Sequence, residues 1–377
     1  PNYTERLARN ITRFTGPGAE PGTPREMALA NQVLDQWRNG ASQTLCGDID
    51  QSARESRYDL ELQDTLSLSD SLRLVSGLNY RYDRASSETY FNGTLDDTTW
   101  RAFGQLEWRA TDHWLLQGGA MFEDTQLIGS SLTPRFAINY LINPRHGLRA
   151  VYSEAIRSPD MFENNVNWSY QVSKLRPSAY GKSSARYFVK TRGPGDLDQE
   201  HMRSRELGYN GYFAEWGLAV DVKLFYDEIT GMISEPLRNN QYIASNANSS
   251  RFRGTETQLD WRVNTVDRLR FTYAYVDAEA SNPLDQQFTA SHSGSAGWLR
   301  DWGHGWNSAL FYYGDNALNG YRFERVDTRI AKRMTLGKAQ LELAGVLQQR
   351  LDHEPTTFVD NNYDERRVMY VSAELEF

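Results

Sequence analysis

The chain closes with R-R-V-M-Y-V-S-A-E-L-E-F, residues 366–377, and its side chains alternate in character. Met369, Val371, Ala373, Leu375 and Phe377 share one face, while Val368, Tyr370, Ser372, Glu374 and Glu376 share the other. A period of two is the signature of a β-strand. The apolar face ends in an aromatic at the terminus and the opposite face carries charge. A soluble sandwich strand can carry this pattern; a terminal strand of an outer-membrane barrel should carry it, with lipid on one side, a polar lumen on the other and an aromatic at the interface.

Working outward, the same alternation recurs. Leu72, Leu74, Leu78, Tyr80 and Tyr82 oppose Arg73, Asn79, Arg81 and Asp83; Trp100, Ala102, Gly104, Leu106 and Trp108 oppose Arg101, Gln105, Glu107 and Arg109. Leu218, Val220, Val222, Leu224 and Tyr226 oppose Asp221, Lys223 and Asp227. Leu259, Trp261 and Val263 stand against Glu256, Gln258, Asp260 and Arg262, and Leu269, Phe271, Tyr273 and Tyr275 against Arg270 and Thr272. Leu341, Leu343, Leu347 and Leu351 oppose Gln340, Glu342, Gln348 and Arg350. Short turns (Ser69-Asp70, Ala110 to His113, Asn143 to His146, Ala214 to Gly217, Asn264 to Asp267, Asp301 to Gly305, Leu336 to Lys338) alternate with longer links. The longer ones run Ala85 to Asp97, Leu127 to Leu132, Arg157 to Glu200, Glu235 to Ser249, Ala280 to Gln287, Gly314 to Tyr321 and His353 to Asp364. Tight periplasmic turns alternating with large extracellular loops define an antiparallel transmembrane β-barrel, here of about sixteen strands.

Composition agrees. The mean hydropathy of -0.67 leaves no helical membrane span, but alternating strands average to a polar composition. Aromatics make up 12% of the chain, with 21 Tyr and 10 Trp, enough for interfacial girdles. A net charge of -8 argues against a nucleic-acid partner. The single Cys46 rules out a disulfide framework within this chain; it is a free thiol or pairs with sequence outside it. Pro1 opens directly in polar sequence without a signal peptide, so an outer-membrane reading expects a mature form or part of something longer. Pro1 to Phe14 reads as a weak strand. Thr15 to about Arg54 reads as a large loop with helical spacing at Met27, Leu29, Val33, Leu34 and Trp37.

No enzyme is legible. Ser293-Gly294-Ser295-Ala296-Gly297 misses the first glycine of a nucleophile elbow, and Gly181-Lys182-Ser183 lacks the opening glycine of a P-loop, with Arg176 in its place. The histidines, His113, His146, His201, His292, His304 and His353, have no metal-type spacing, so neither a metal nor another cofactor is expected.

Three stretches resemble the TonB-dependent outer-membrane receptors. They are Leu148 to Glu163, containing Ile156, Arg157, Ser158, Pro159, Asp160 and Glu163; Glu206 to Ile233 followed by Arg253 to Trp261; and the terminal strand ending in Phe377. The resemblance runs from about Tyr58 to the end. It implies an N-terminal plug inside a barrel of about 22 strands, uptake of a scarce ligand such as a ferric siderophore, and energy from the TonB–ExbB–ExbD complex. No plug-like segment or TonB box is found, so the chain is expected to be the C-terminal barrel portion of a receptor. The alternative is a self-contained passive porin of about sixteen strands. Phe377 is the expected signal for the barrel-assembly machinery, and lipid and lipopolysaccharide are the expected surroundings.

Candidate site residues follow. Arg157, Asp160 and Glu163 lie where a strand meets the longest loop and are expected either to anchor it by charge-assisted hydrogen bonds or to form a solvated loop base. Within that loop Trp168, Tyr170, Arg176, Tyr180, Arg186 and Tyr187, with Lys174, Lys182, Lys190 and Arg192, form a basic and aromatic set in an acidic protein. Cations and aromatic faces suit an anionic chelate; lipopolysaccharide phosphates or solvent are the other takers. Tyr242, Tyr312 and Tyr313 are lesser candidates at other loop bases.

Overall fold

A computed structural model describes residues 46–176, 178, 183–234, 244–318, 320–352 and 365–376. The expected strand at Pro1 to Phe14, the helical spacing near Met27, Tyr180, Tyr242, His353 and Phe377 lie outside the described residues.

Fifteen strands form one antiparallel sheet. From one edge these are β2 (Arg54–Ser69), β3 (Leu72–Ser87), β4 (Gly93–Arg109), β5 (Trp114–Thr125), β6 (Gly129–Asn143) and β7 (His146–Arg157). The sheet continues with β10 (Glu200–Phe213), β11 (Leu218–Met232), β12 (Asn248–Arg262), β13 (Asp267–Ala280) and β14 (His292–Gly303). It ends with β15 (Trp306–Leu318), β16 (Tyr321–Leu336), β17 (Ala339–Arg350) and β18 (Arg367–Glu376). Every strand pairs with its sequence neighbour except across one insertion between β7 and β10, where Glu200 stands opposite Arg157. Strands of 10 to 17 residues meet or exceed the roughly 9–11 that a membrane crossing needs. Among the described residues no pairing joins β2 to β18, and both of these strands are exposed along their whole length.

The expected alternation sets the two faces. Leu62, Leu78, Leu106, Leu207, Leu224 and Leu310 are exposed on the outer face. Trp108, Trp114, Trp216, Trp261, Trp302 and Trp306 are exposed near the short-turn end, the position of an interfacial girdle. The inner face is polar and internally paired. Arg149 reaches Asp221, Lys223 reaches Glu256, and Arg268 and Arg270 share Asp260. Ser293 to Gly297 lies inside continuous strand β14, so it forms no nucleophile elbow.

Three links expected to be long are short. Strands β3 and β4 are joined by residues 88–92, β5 and β6 by 126–128, and β15 and β16 by 319–320. Hydrogen-bond pairing continues beyond the apolar stretch, so polar residues read as loop are ladder instead. The large links on this side are 158–199, 233–247, 281–291 and 351–366.

Candidate functional site

The insertion 158–199 has its own structure. It begins with helix α1 (Met161–Asn165), followed by β8 (Asn167–Arg176) and β9 (Ala185–Arg192). Strand β1 (Cys46–Ile49), from the far end of the first loop, pairs with β8 to complete a three-stranded sheet. Under it lies a hydrophobic core of Val166, Trp168, Val172, Leu175, Leu197, Ile233 and Ala244. Thus three loops, separated by up to about half the chain, bury apolar surface together at the long-loop end of the barrel. Backbone approach is tight: a Cβ at Gly193 would lie 2.2 Å from the carbonyl oxygen of Asn164. Asn164 is itself buried and accepts the Leu197 N–H at 3.1 Å.

This subdomain is tied to the wall at two places. At the first, Asp160 caps α1, accepting the Glu163 N–H at 2.7 Å, while its own N–H donates to Glu163 at 3.0 Å, a reciprocal capping box. Arg157 donates to Glu163 at 2.9 Å and to Glu200 at 2.6 Å. Glu200 also accepts the Ile233 N–H at 2.7 Å, so one carboxylate joins two loops. Arg157 and Glu200 lie above the stretch that the bilayer requires. Partial burial works to raise the Glu200 pKa, but the Arg157 guanidinium and the Ile233 N–H together hold it below the ordinary carboxylate value. At the second place, Asn167 and Ser169 donate to the carbonyls of Tyr90 and Thr89 at 2.8 Å each, and Arg186 reaches Asn92 and Glu88.

Below the subdomain the wall carries a partly buried polar chain. Asn79 donates to Asp59 at 2.7 Å and accepts from Arg101 at 3.4 Å; Arg101 bonds Glu123. Ser158 then donates to Glu123 at 3.1 Å, linking the barrel interior to the base of the insertion. Beside it a cleft of about 680 Å³ opens between the wall and α1. Its lining includes Arg57, Arg81, Asp83, Tyr90, Phe91, Asp97 and Phe162. Arg57 and Arg81 both hold Asp83, at 2.6 and 2.8 Å. Burial raises the Asp97 pKa, opposed by hydrogen bonds that include the Leu127 N–H. Cations, aromatic edges and acceptors therefore converge on one cavity facing the mouth.

The sequence-selected residues divide. Arg157, Asp160 and Glu163 converge in one node. Trp168 is only 8% exposed and its ring packs edge-on against Tyr90 and Phe162. This corrects its reading as a ligand-facing ring: the ring belongs to the loop core. Tyr170 packs against the same core. Arg186 is engaged with the β3–β4 turn, and Lys174 with Asp48 at 2.7 Å. Arg176 is exposed at the end of β8, and Tyr187 stands opposite Tyr170 in the β8–β9 register. Tyr312 faces outward and donates to Glu324 at 2.7 Å, whereas Tyr313 lies on the inner face beneath Arg325, 5.0 Å from its ring centre. The Tyr90, Phe91 and Phe162 cluster was not singled out. Its only sequence signal is a pair of aromatics at the tip of a turn. Among the described residues no group of histidine, cysteine and carboxylate side chains has the makings of a metal site.

Comparison with known proteins gives one consistent picture. The family described as TonB dependent receptor-like, beta-barrel matches residues 3–344. The Vitamin B12 transporter BtuB of Vibrio cholerae is 24% identical over 158 residues, covering 40% of this chain and 24% of that protein. The structure of the siderophore receptor PirA from Pseudomonas aeruginosa superposes with a TM-score of 0.63 at 15% identity, over 86% of this chain and 57% of that one. The copper transporter OprC superposes with a TM-score of 0.58 at 15% identity, over 78% of this chain and 50% of that one. The chain thus spans about a quarter of the curated relative and about half of the solved structures.

Proposed function

The chain belongs to the TonB-dependent receptor β-barrel family, a family of non-enzymatic outer-membrane transporters of Gram-negative bacteria, and from that premise we propose that it forms the outer wall and ligand-capturing mouth of an uptake receptor for a ferric siderophore. The observation that carries this reading is the roofed mouth. A packed three-stranded subdomain stands over a polar wall and leaves a cleft with Arg57, Arg81, Tyr90 and Phe91 on its lining. Guanidiniums attract an anionic chelate and aromatic rings take its planar parts. In this reading Arg157, Asp160 and Glu163 anchor the roof, and Arg176 meets the ligand from above. Trp168 holds the roof from within.

The barrel is completed, in this proposal, by strands and a plug outside these residues. A sheet whose end strands lack a partner leaves unsatisfied backbone groups in lipid, which is costly. The plug then carries the contact to the TonB–ExbB–ExbD complex, and the terminal strand directs assembly by the barrel-assembly machinery.

The test is uptake in an iron-starved strain lacking its own receptors and carrying the full-length parent protein. Radiolabelled ferric siderophores, vitamin B12 and copper complexes are compared with and without functional TonB. TonB-dependent accumulation of a ferric siderophore is the expected result. Accumulation of only vitamin B12 or copper would reassign the ligand. TonB-independent ion conductance in planar bilayers, without saturable uptake, would replace the receptor with a passive pore.

A further inference from the structure

The inner wall pairs its arginines. Arg101 meets Glu123, Arg149 meets Asp221, and Arg325 meets Asp327. Arg268 and Arg270 share Asp260, and Arg329 and Arg333 share Glu342. Arg135, in β6, departs from this rule. Phe136 and Ile138 are exposed on the outer face, so Arg135, of opposite parity on the same strand, belongs to the inner one. Its side chain is exposed. Among the described residues no carboxylate lies within ion-pair distance of it, and no hydrogen bond or ring contact holds it. Strand ends aside, no other inner-face arginine among the described residues is in this condition.

The position is deep in the wall. Tyr140, whose ring lies 4.7 Å from that of Trp114, marks the lower girdle, and Arg135 stands five residues above it. At about 3.4 Å per residue and a tilt of about 45°, the height is roughly 12 Å, the middle of an apolar band about 25 Å tall. Around Arg135 the wall is neutral and small. Gly119 and Ser153 flank it on its own rung, and Ser204 follows beyond Ser153. The rung below has Ala137 between Gln117 and Val151. Gly119 admits no side chain, since a Cβ there would lie 2.7 Å from the Gly104 carbonyl oxygen, so that flank stays open. The Ser153 and Ser204 hydroxyls form no hydrogen bond among the described residues. Glu206 and Asp227 stand two and three strands away, roughly 10 Å or more at about 4.8 Å per strand. Glu123 already serves Arg101 and Ser158. An ionisable side chain retained at membrane depth without a counter-ion points to a route for solutes.

We propose that Arg135 is an oxyanion station on the lumenal wall, taking a carboxylate or phosphate group of a solute, with the Ser153 and Ser204 hydroxyls as further donors. The guanidinium fork presents paired N–H groups to two oxygens of one such group. The hydroxyls add donors without adding charge, so the anion is held and released rather than trapped, as passage requires. The mouth cleft differs, because there Arg57 and Arg81 both hold Asp83. The inference rests on the uptake reading for the purpose of the site and not for its chemistry.

The full-length protein in nanodiscs is treated with p-hydroxyphenylglyoxal, which modifies accessible guanidiniums, and each arginine is followed by peptide mass spectrometry. Arg149, 34% exposed but paired with Asp221, and Arg73, 54% exposed beside Glu107, are internal controls. Arg135 is expected to react several-fold faster than Arg149. Pyrophosphate or citrate, at millimolar concentration against chloride of equal ionic strength, is expected to slow Arg135 about threefold, the effect of two-thirds occupancy, and to leave Arg73 unchanged. The stronger protector assigns the group as phosphate or carboxylate. The pair Ser153→Ala with Ser204→Ala, qualified by the heat-induced gel shift of a folded barrel, is expected to keep the unprotected rate and lose most of the protection. An unreactive Arg135 overturns the proposal, because protein then occupies the site. A rate that neither anion slows overturns it, as does slowing shared equally by Arg73, which is screening alone. Undiminished protection in the serine variant overturns the built site and leaves a bare cation. Protection is read with no transported ligand present, so its failure and a failure of siderophore uptake are separate results.

Discussion

Replacing Arg157 with alanine is expected to loosen the mouth subdomain while leaving the barrel folded. Arg157 serves two carboxylates, Glu163 and Glu200, whose side chains are only 17% and 13% exposed, while its own is 46% exposed. A hydrogen bond to a charged group contributes about 1.5–3 kcal/mol. Two such partners set an upper range of roughly 3–6 kcal/mol, and solvent around the half-exposed guanidinium reduces it to about 2 kcal/mol. Both acids keep a neighbour, Glu163 through the Asp160 cap and Glu200 through the Ile233 N–H, so neither is fully orphaned. At about 1.4 kcal/mol per tenfold, the change corresponds to roughly 30-fold faster amide exchange in the affected unit. Hydrogen–deuterium exchange by mass spectrometry, on the full-length protein in nanodiscs, reads this directly. Peptides from 158–200 and 232–234 are expected to accelerate, and those of β12 to β17 to remain protected. Arg157→Lys, which keeps the charge but loses the fork, is expected to recover part of the protection. Unchanged exchange in 158–200 would refute the reasoning, because the node would then contribute nothing beyond solvated charge. Acceleration throughout the barrel would refute it from the other side.

Further outcomes follow from the same geometry. Gly193→Ala forces a methyl against the Asn164 backbone and is expected to cost the subdomain about 1–3 kcal/mol, seen as faster proteolysis of 158–199 with an unaltered heat-induced gel shift. The Glu200 pKa lies below its ordinary 4.5, so this group's stabilisation is complete above that value and is lost as pH falls through the lower folded value. Exchange protection of the same segment is therefore expected to be flat from neutral pH to about 5 and to decline below 4.5. Cys46 is exposed on the edge of the mouth sheet, so a membrane-impermeant maleimide is expected to label it on intact cells. Labelling only after the outer membrane is broken would invert the assigned orientation.

Strand periodicity was legible because each alternating residue reports its own face. Leu78 and Leu106 against Asn79 and Glu107 need no knowledge of their neighbours, since a strand in a membrane wall meets lipid and lumen by turns. The short turns were legible for the same reason, as interruptions of that period. The long-loop end was less so. Polar residues such as Thr94 and Asp96 continue the ladder above the membrane, where the lipid that enforces alternation is gone.

The arrangement of the mouth needed tertiary structure. Nothing near Cys46 to Ile49 announces a partnership with β8, some 125 residues away. Trp168 looked like a binding ring because sequence shows its chemistry and not its neighbours; Tyr90 and Phe162 supply those neighbours in edge-on contacts. The sequence by itself determined a membrane wall, its two faces and its terminal strand, since these follow from local periodicity against two solvents. Tertiary structure decided the roof and the cleft, since these rest on contacts between distant segments that no period encodes.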